Sequence, residues 1–194
     1  MTENEWTKRI SNKLNLFLAS YKLFADTLVK VPYSQEINGY TESWKPEYLE
    51  PSLFETDLLI YEVKNGKTIP RVIIESKINK IGTHDAITYS YKAEKHKNIT
   101  PYLRYGIMLG NRKHYPLPGR LFRHGTNFDF MFKFSGYKPS DEEWAVFTKM
   151  ILKEVKYSRL IEKMLHENKN KSRKRYFMLQ KQLVLKEQED NSEE

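Results

Sequence analysis

Two strand-like apolar runs in the first half of the chain carry acids. Phe54-Glu55-Thr56-Asp57-Leu58-Leu59-Ile60-Tyr61 contains Asp57, and Arg71-Val72-Ile73-Ile74-Glu75-Ser76-Lys77-Ile78 ends with Glu75 and Lys77. The second run is rich in β-branched residues, and alternate side chains of a strand share a face, so Glu75 and Lys77 project together. With the Asp57 strand beside it, two carboxylates and an ammonium converge. Two carboxylates make an oxygen site suited to Mg²⁺, which keeps its other positions for water and phosphate oxygens. A nearby lysine can orient or deprotonate the water, so the chemistry that fits is phosphodiester hydrolysis. The competing reading is structural, with Asp57 in a surface ion pair and Glu75 with Lys77 in a salt bridge on a solvated face. The unbroken apolar stretch Val72 to Ile74 argues for a strand covered on both faces, where an acid requires a compensating cation.

The order Asp57, then Glu75-Ser76-Lys77 at the end of the next apolar strand, then a helix, resembles the PD-(D/E)XK nuclease superfamily. That superfamily includes type II restriction endonucleases and junction resolvases. Thr56 stands where many members have proline, a residue that takes no part in the reaction. The resemblance covers about residues 30 to 135. It implies an α/β fold with a mixed central β-sheet flanked by helices, a restriction-endonuclease-like core. It also implies Mg²⁺, replaceable by Mn²⁺, held by Asp57, Glu75 and the Ser76 carbonyl, with Lys77 positioning the attacking water. Members often add an acid from an upstream helix or strand; Glu36 is the candidate here, with Glu5 and Glu50 also open. The expected activity is that of a Mg²⁺-dependent endonuclease, most like a type II restriction endonuclease making double-strand breaks with 5′-phosphate and 3′-hydroxyl ends. The alternatives are a structure-specific, resolvase-like nuclease and a noncatalytic nucleic-acid-binding protein whose acids and lysine merely pair.

Charge points to the partner. The formal net charge is +8, and five acids fall in the last eight residues, so the body through Lys186 carries +13. Such a surplus suits an anionic partner, here double-stranded DNA. In the loop from Asn111 to Gly125, the cations Arg112, Lys113, Arg120 and Arg123 interleave with Tyr115 and Phe122, a mixture fit for phosphate and groove contact. Lys92 and Lys95 on the helix after the motif are further candidates. An ordinary surface loop and a solvated helix face are the alternatives. Lys169 to Arg175 reads as a basic arm or linker. The five histidines show no ligand spacing, and no glycine-rich phosphate loop is present. With no cysteine, no signal-like start and no membrane-length apolar run, the expected setting is the cytoplasm, with no membrane association.

The elements that must position these residues follow from periodicity. Apolar residues at helical spacing predict a long helix from Glu5 to Val29, stopped by Pro32. A weak strand follows from Pro32, and Asn65-Gly66 predicts a hairpin joining the two motif strands. Thr83 is placed to cap a helix from His84 to about Asn98, before strands at 105–110 and 128–134. Ser140 with Glu143 forms a capping box for a final helix. A second helical stretch is expected from Tyr176 to Lys186. The chain thus divides into an N-terminal helix (1–31), a nuclease core (32–138), a C-terminal helical extension (139–186) and an acidic, disordered tail (187–194). Symmetric cutting of both strands requires two sites, so a homodimer is expected. The stripe Trp144, Phe147, Ile151, Val155 and Leu160 is long enough to pack on its own sheet and still reach a partner.

Overall fold

Asn65 and Gly66, with φ of 53° and 72°, turn strand β6 (Leu58–Lys64) back into β7 (Lys67–Ile78), the left-handed pair that a two-residue hairpin demands. This computed structural model describes residues 1–167, 171, 174 and 176–187. β7 pairs antiparallel with β6 and parallel with β8 (Arg104–Gly110), which makes it the central strand of a five-stranded sheet ordered β1-β6-β7-β8-β9. The edges are β1 (Leu23–Asp26), antiparallel to β6, and β9 (Phe130–Lys133), parallel to β8. The parallel step from β7 to β8 requires a crossover, supplied by helix α2 (Thr83–Ile99).

Helices cover both faces. On one, α1 (Glu3–Leu18) and α4 (Asp141–Glu167) bury Trp6, Leu14, Phe147 and Ile151 against Ile60, Val72 and Ile74. On the other, α2 and the short α3 (Gly119–His124) enclose Ile73, Ala93, Tyr105 and Leu121. The result is the expected α/β architecture, a mixed central sheet flanked by helices with a helix at its C-terminal side. Two small ladders stand beside it: β2 (Val29–Ser34) with β5 (Ser52–Thr56), and β3 (Ile37–Tyr40) with β4 (Pro46–Tyr48).

Several expected elements differ. The first helix ends at Leu18 rather than Val29, because Lys22 takes a left-handed conformation (φ 54°) and the chain enters β1 with Leu23 and Ala25 inward and Phe24 and Asp26 outward. Pro32 sits inside β2, a strand with one paired edge, where its missing N–H is tolerated. Gly82, not Thr83, is the cap of α2; its N–H donates to Asp85 Oδ2 at 2.7 Å. The Ser140 capping box is present, with Glu143 N–H donating to Ser140 Oγ and Ser140 N–H to Glu143 Oε2. Of the α4 stripe, Phe147, Ile151 and Val155 are buried on its own sheet, Trp144 is half-buried and Leu160 is exposed. Tyr176 to Glu187 forms no helix. Its side chains are exposed, and a helix this short draws its stability from packing it does not have. The expected tail, beyond Glu187, and most of the basic run from Lys169 to Arg175 lie outside the described residues. Among the described residues, no helix is long and apolar enough to cross a membrane.

Candidate active site

The hairpin register sets Leu58 opposite Ile74, so Asp57, one residue before β6, faces Glu75 across the end of the ladder. Asp57 Oδ2 accepts hydrogen bonds from Ser76 N–H at 2.7 Å and Ser76 Oγ at 3.2 Å. Alternation along β7 then sorts the side chains. Ser76 turns toward α1, its Oγ 2.7 Å from Thr7 Oγ1. Glu75 and Lys77 turn toward α2, where they meet Lys92 and Tyr89.

Glu75 is fully buried. Its Oε1 accepts from the Tyr105 hydroxyl and lies 3.7 Å from Lys92 Nζ, whereas Oε2 is buried with no hydrogen-bond partner among the described residues. Burial, reinforced by the Asp57 charge and opposed by Lys92 and Tyr105, pushes the Glu75 carboxyl up to about 7. Burial alone would favour neutral Lys77, but hydrogen bonds to Tyr89 and Glu3 outweigh it and hold the lysine well above its ordinary value. Lys77 Nζ donates to Glu3 Oε1 at 3.1 Å. Tyr89 is itself pushed up to about 12, by burial and the Asp57 and Glu75 charges against the opposing effect of Lys77. Burial and Glu75 raise Tyr105 as well. The site therefore combines two adjoining carboxylates, one with a buried free oxygen, and a lysine held by Glu3 and Tyr89. This hard-oxygen donor set fits a divalent cation. Among the described residues, no third His, Cys, Asp or Glu joins them in a cluster.

The remaining candidates scatter. Glu36 is exposed in the β2–β3 connection, seven residues beyond Val29, the partner of Thr56; at the rise of a strand this is roughly 20 Å from Asp57. Glu5 is occupied in the α1 capping box, accepting from Thr2 N–H at 2.8 Å, and Glu50 is exposed after β4. The acid that α1 brings to the site is Glu3. Lys92 faces the site instead of open surface, also donating to the Glu55 carbonyl at 3.5 Å, and Lys95 lies half-buried over the Tyr91 ring. Arg112 is buried and donates to the carbonyls of Asn79 (2.8 Å) and Pro116 (3.2 Å), which makes it a brace for its loop. Arg120 is exposed with Nη1 on the Ile81 carbonyl, while Lys113 and Arg123 are exposed as well. Because Asn79 and Ile81 follow β7 directly, these braces hold the basic loop beside the strand end that carries Lys77.

Sequence reasoning missed Glu3, Tyr89 and Tyr105. Tyr105 had a recoverable signal: parallel pairing sets Ile73 against Tyr105, placing its ring on the face of Ile73 and Glu75. No family model and no curated protein matches this chain. Among solved structures it is similar to the pre-specific restriction endonuclease BsaWI in complex with DNA, at 13% identity and a TM-score of 0.44, over 79% of this chain. It spans 61% of that endonuclease.

Proposed function

We propose that this chain is a Mg²⁺-dependent endodeoxyribonuclease, and more narrowly a type II restriction endonuclease acting on double-stranded DNA as a homodimer. The observation that carries the reading is the buried Glu75 carboxylate, with an unpartnered oxygen, beside the half-buried Asp57 and on one face with Lys77. Desolvating a carboxylate beside a second one costs several kcal/mol unless a cation compensates. Asp57, Glu75 and the Ser76 carbonyl would hold Mg²⁺ or Mn²⁺. Such an ion, when bound, supplies charge neutralisation at the scissile phosphate and makes water more acidic.

The chain's own groups do the positioning. Ser76 N–H and Oγ fix the Asp57 carboxylate, and the Tyr105 hydroxyl fixes Glu75. Lys77, aimed by Glu3 and Tyr89, serves as a cationic donor that orients the attacking water or a phosphate oxygen. Lys113, Arg120 and Arg123 offer exposed charge to the DNA backbone beside the site. The 3.7 Å contact of Lys92 with Glu75 favours one other reading, a nucleic-acid binder in which lysine replaces the metal.

Metal-dependent cleavage separates the two. Plasmid and phage DNA of known sequence, incubated with the protein in Mg²⁺ or Mn²⁺, should yield discrete fragments whose mapped ends define a site. Asp57→Asn, Glu75→Ala and Lys77→Ala should abolish cleavage while keeping DNA binding. Retained turnover in the Asp57 and Glu75 variants refutes the assignment, and binding without cleavage across varied DNA supports the noncatalytic reading.

A further inference from the structure

The strand that delivers Asp57 also leads away from the body into an exposed ribbon. Among the described residues, β3 and β4 pair only with each other, which leaves the outer edge of each strand open. An isolated two-stranded ribbon is marginal in water, and open edges invite another strand. Its aromatic side chains face solvent: Trp44 is 79% exposed, Tyr48 61% and Tyr40 55%. Its charge opposes the rest of the molecule. Between Gln35 and Glu50 the acids Glu36, Glu42, Glu47 and Glu50 face only Lys45, for a net −3 in a chain of net +8. That sign excludes a DNA backbone as the partner.

A complementary segment lies in the same chain. From Lys171 to Lys186 there are six cations, no acid, no proline and no glycine. Within it Phe177 is 100% exposed, Leu179 74%, Leu183 82% and Leu185 68%. These alternate with period two, interrupted only by Lys181, while the opposite face mixes Tyr176, Met178 and Val184 with Gln180, Gln182 and Lys186. The pattern is that of a strand with one strongly apolar face and one mixed face. An apolar stretch of this size left uncovered marks an interaction surface.

We propose that residues 176–186 of a second copy of this chain add as a strand to the β3–β4 ribbon. Aromatic residues of the ribbon cover the apolar face, and its glutamates meet the segment's lysines. Each copy gives one segment and receives one, so two identical contacts close a two-fold dimer. The surface is independent of any catalytic reading, although β5 connects the ribbon to Asp57 in the shortest possible way, Thr56 being the last residue of β5.

Light scattering of the full chain at micromolar concentration should give about 46 kDa, twice 23.2 kDa. Glu42→Lys with Glu47→Lys should raise the dimer dissociation constant at least tenfold, and adding Lys181→Glu with Lys186→Glu to that same chain should restore it. Circular dichroism confirms that each variant keeps its fold. Because the chain has no cysteine, Trp44→Cys and Phe177→Cys chains can be mixed and oxidised. A disulfide-linked heterodimer is expected, as opposed to either homodimer. A wild-type monomer overturns the proposal. So does a dimer indifferent to charge reversal, or a Trp44→Cys, Phe177→Cys double variant that closes only within one chain.

Discussion

Glu75→Gln keeps an acceptor for the Tyr105 hydroxyl and deletes the buried charge. In the folded chain, burial and Asp57 hold the Glu75 carboxyl at about 7, against an ordinary 4.5. At 1.36 kcal/mol for each tenfold change in proton affinity, that interval corresponds to roughly 3 kcal/mol. Between these pH values the unfolded chain has released a proton that the folded chain retains. The folded state therefore binds more protons, and stability falls as pH rises through the window and levels above about 7. Wild-type protein in EDTA should lose roughly 3 kcal/mol from this group over that range, and Glu75→Gln should lose none of it. Urea denaturation of both proteins at several pH values measures the difference. Excess Mg²⁺ above pH 7 should then raise the wild-type midpoint, because it binds the ionised pair of the native state, and leave the variant unmoved. Two stability curves that run parallel across the window refute the burial argument.

Arg71→Met should destabilise by about 3–5 kcal/mol in denaturant melts, because Arg71 is 2% exposed and its loss leaves the buried Glu62 carboxylate with Arg159 alone. Gly106→Ala should lower the melting temperature, at a cost of about 1–3 kcal/mol, since a Cβ on this β8 residue would overlap the Phe130 ring. A Lys113→Ala, Arg123→Ala double variant should reduce the slope of log affinity for DNA against log salt by about two, at roughly 0.9 for each phosphate contact. Arg112→Ala should instead weaken the fold, a distinction that salt titration and thermal melting read together.

The hairpin that carries Asp57, Glu75 and Lys77 was legible because its signals are local. Asn65-Gly66 fixes the turn, β-branched residues fill β7, and period two puts Glu75 and Lys77 on one face. The capping box at Ser140 and Glu143 was equally readable. The end of α1 was not, because Tyr21, Phe24, Ala25 and Leu28 continue the helical spacing while Leu23 and Ala25 also alternate as in a strand, and only pairing with β6 decides. Glu3 and Tyr105 reach the site through contacts 74 and 30 residues away in sequence. Such partners depend on tertiary placement, which a local pattern does not encode. Arg112 illustrates the same gap for charge: composition marks a cation, and only the fold reveals that two carbonyls consume it.

Ser76 donates its amide to the Asp57 carboxylate at the point where β6 has not yet begun, so a side chain completes the ladder in place of a backbone carbonyl. In amide hydrogen exchange, the middle of β7 should open only with the whole sheet, and the ribbon made by β3 and β4 should exchange through local fraying. The Ser76 amide belongs to the slow group by position but owes its protection to a side-chain acceptor. It is thus a built-in spectroscopic probe of the Asp57 contact, reporting from inside the sheet whether the bond that joins the two strand ends is intact.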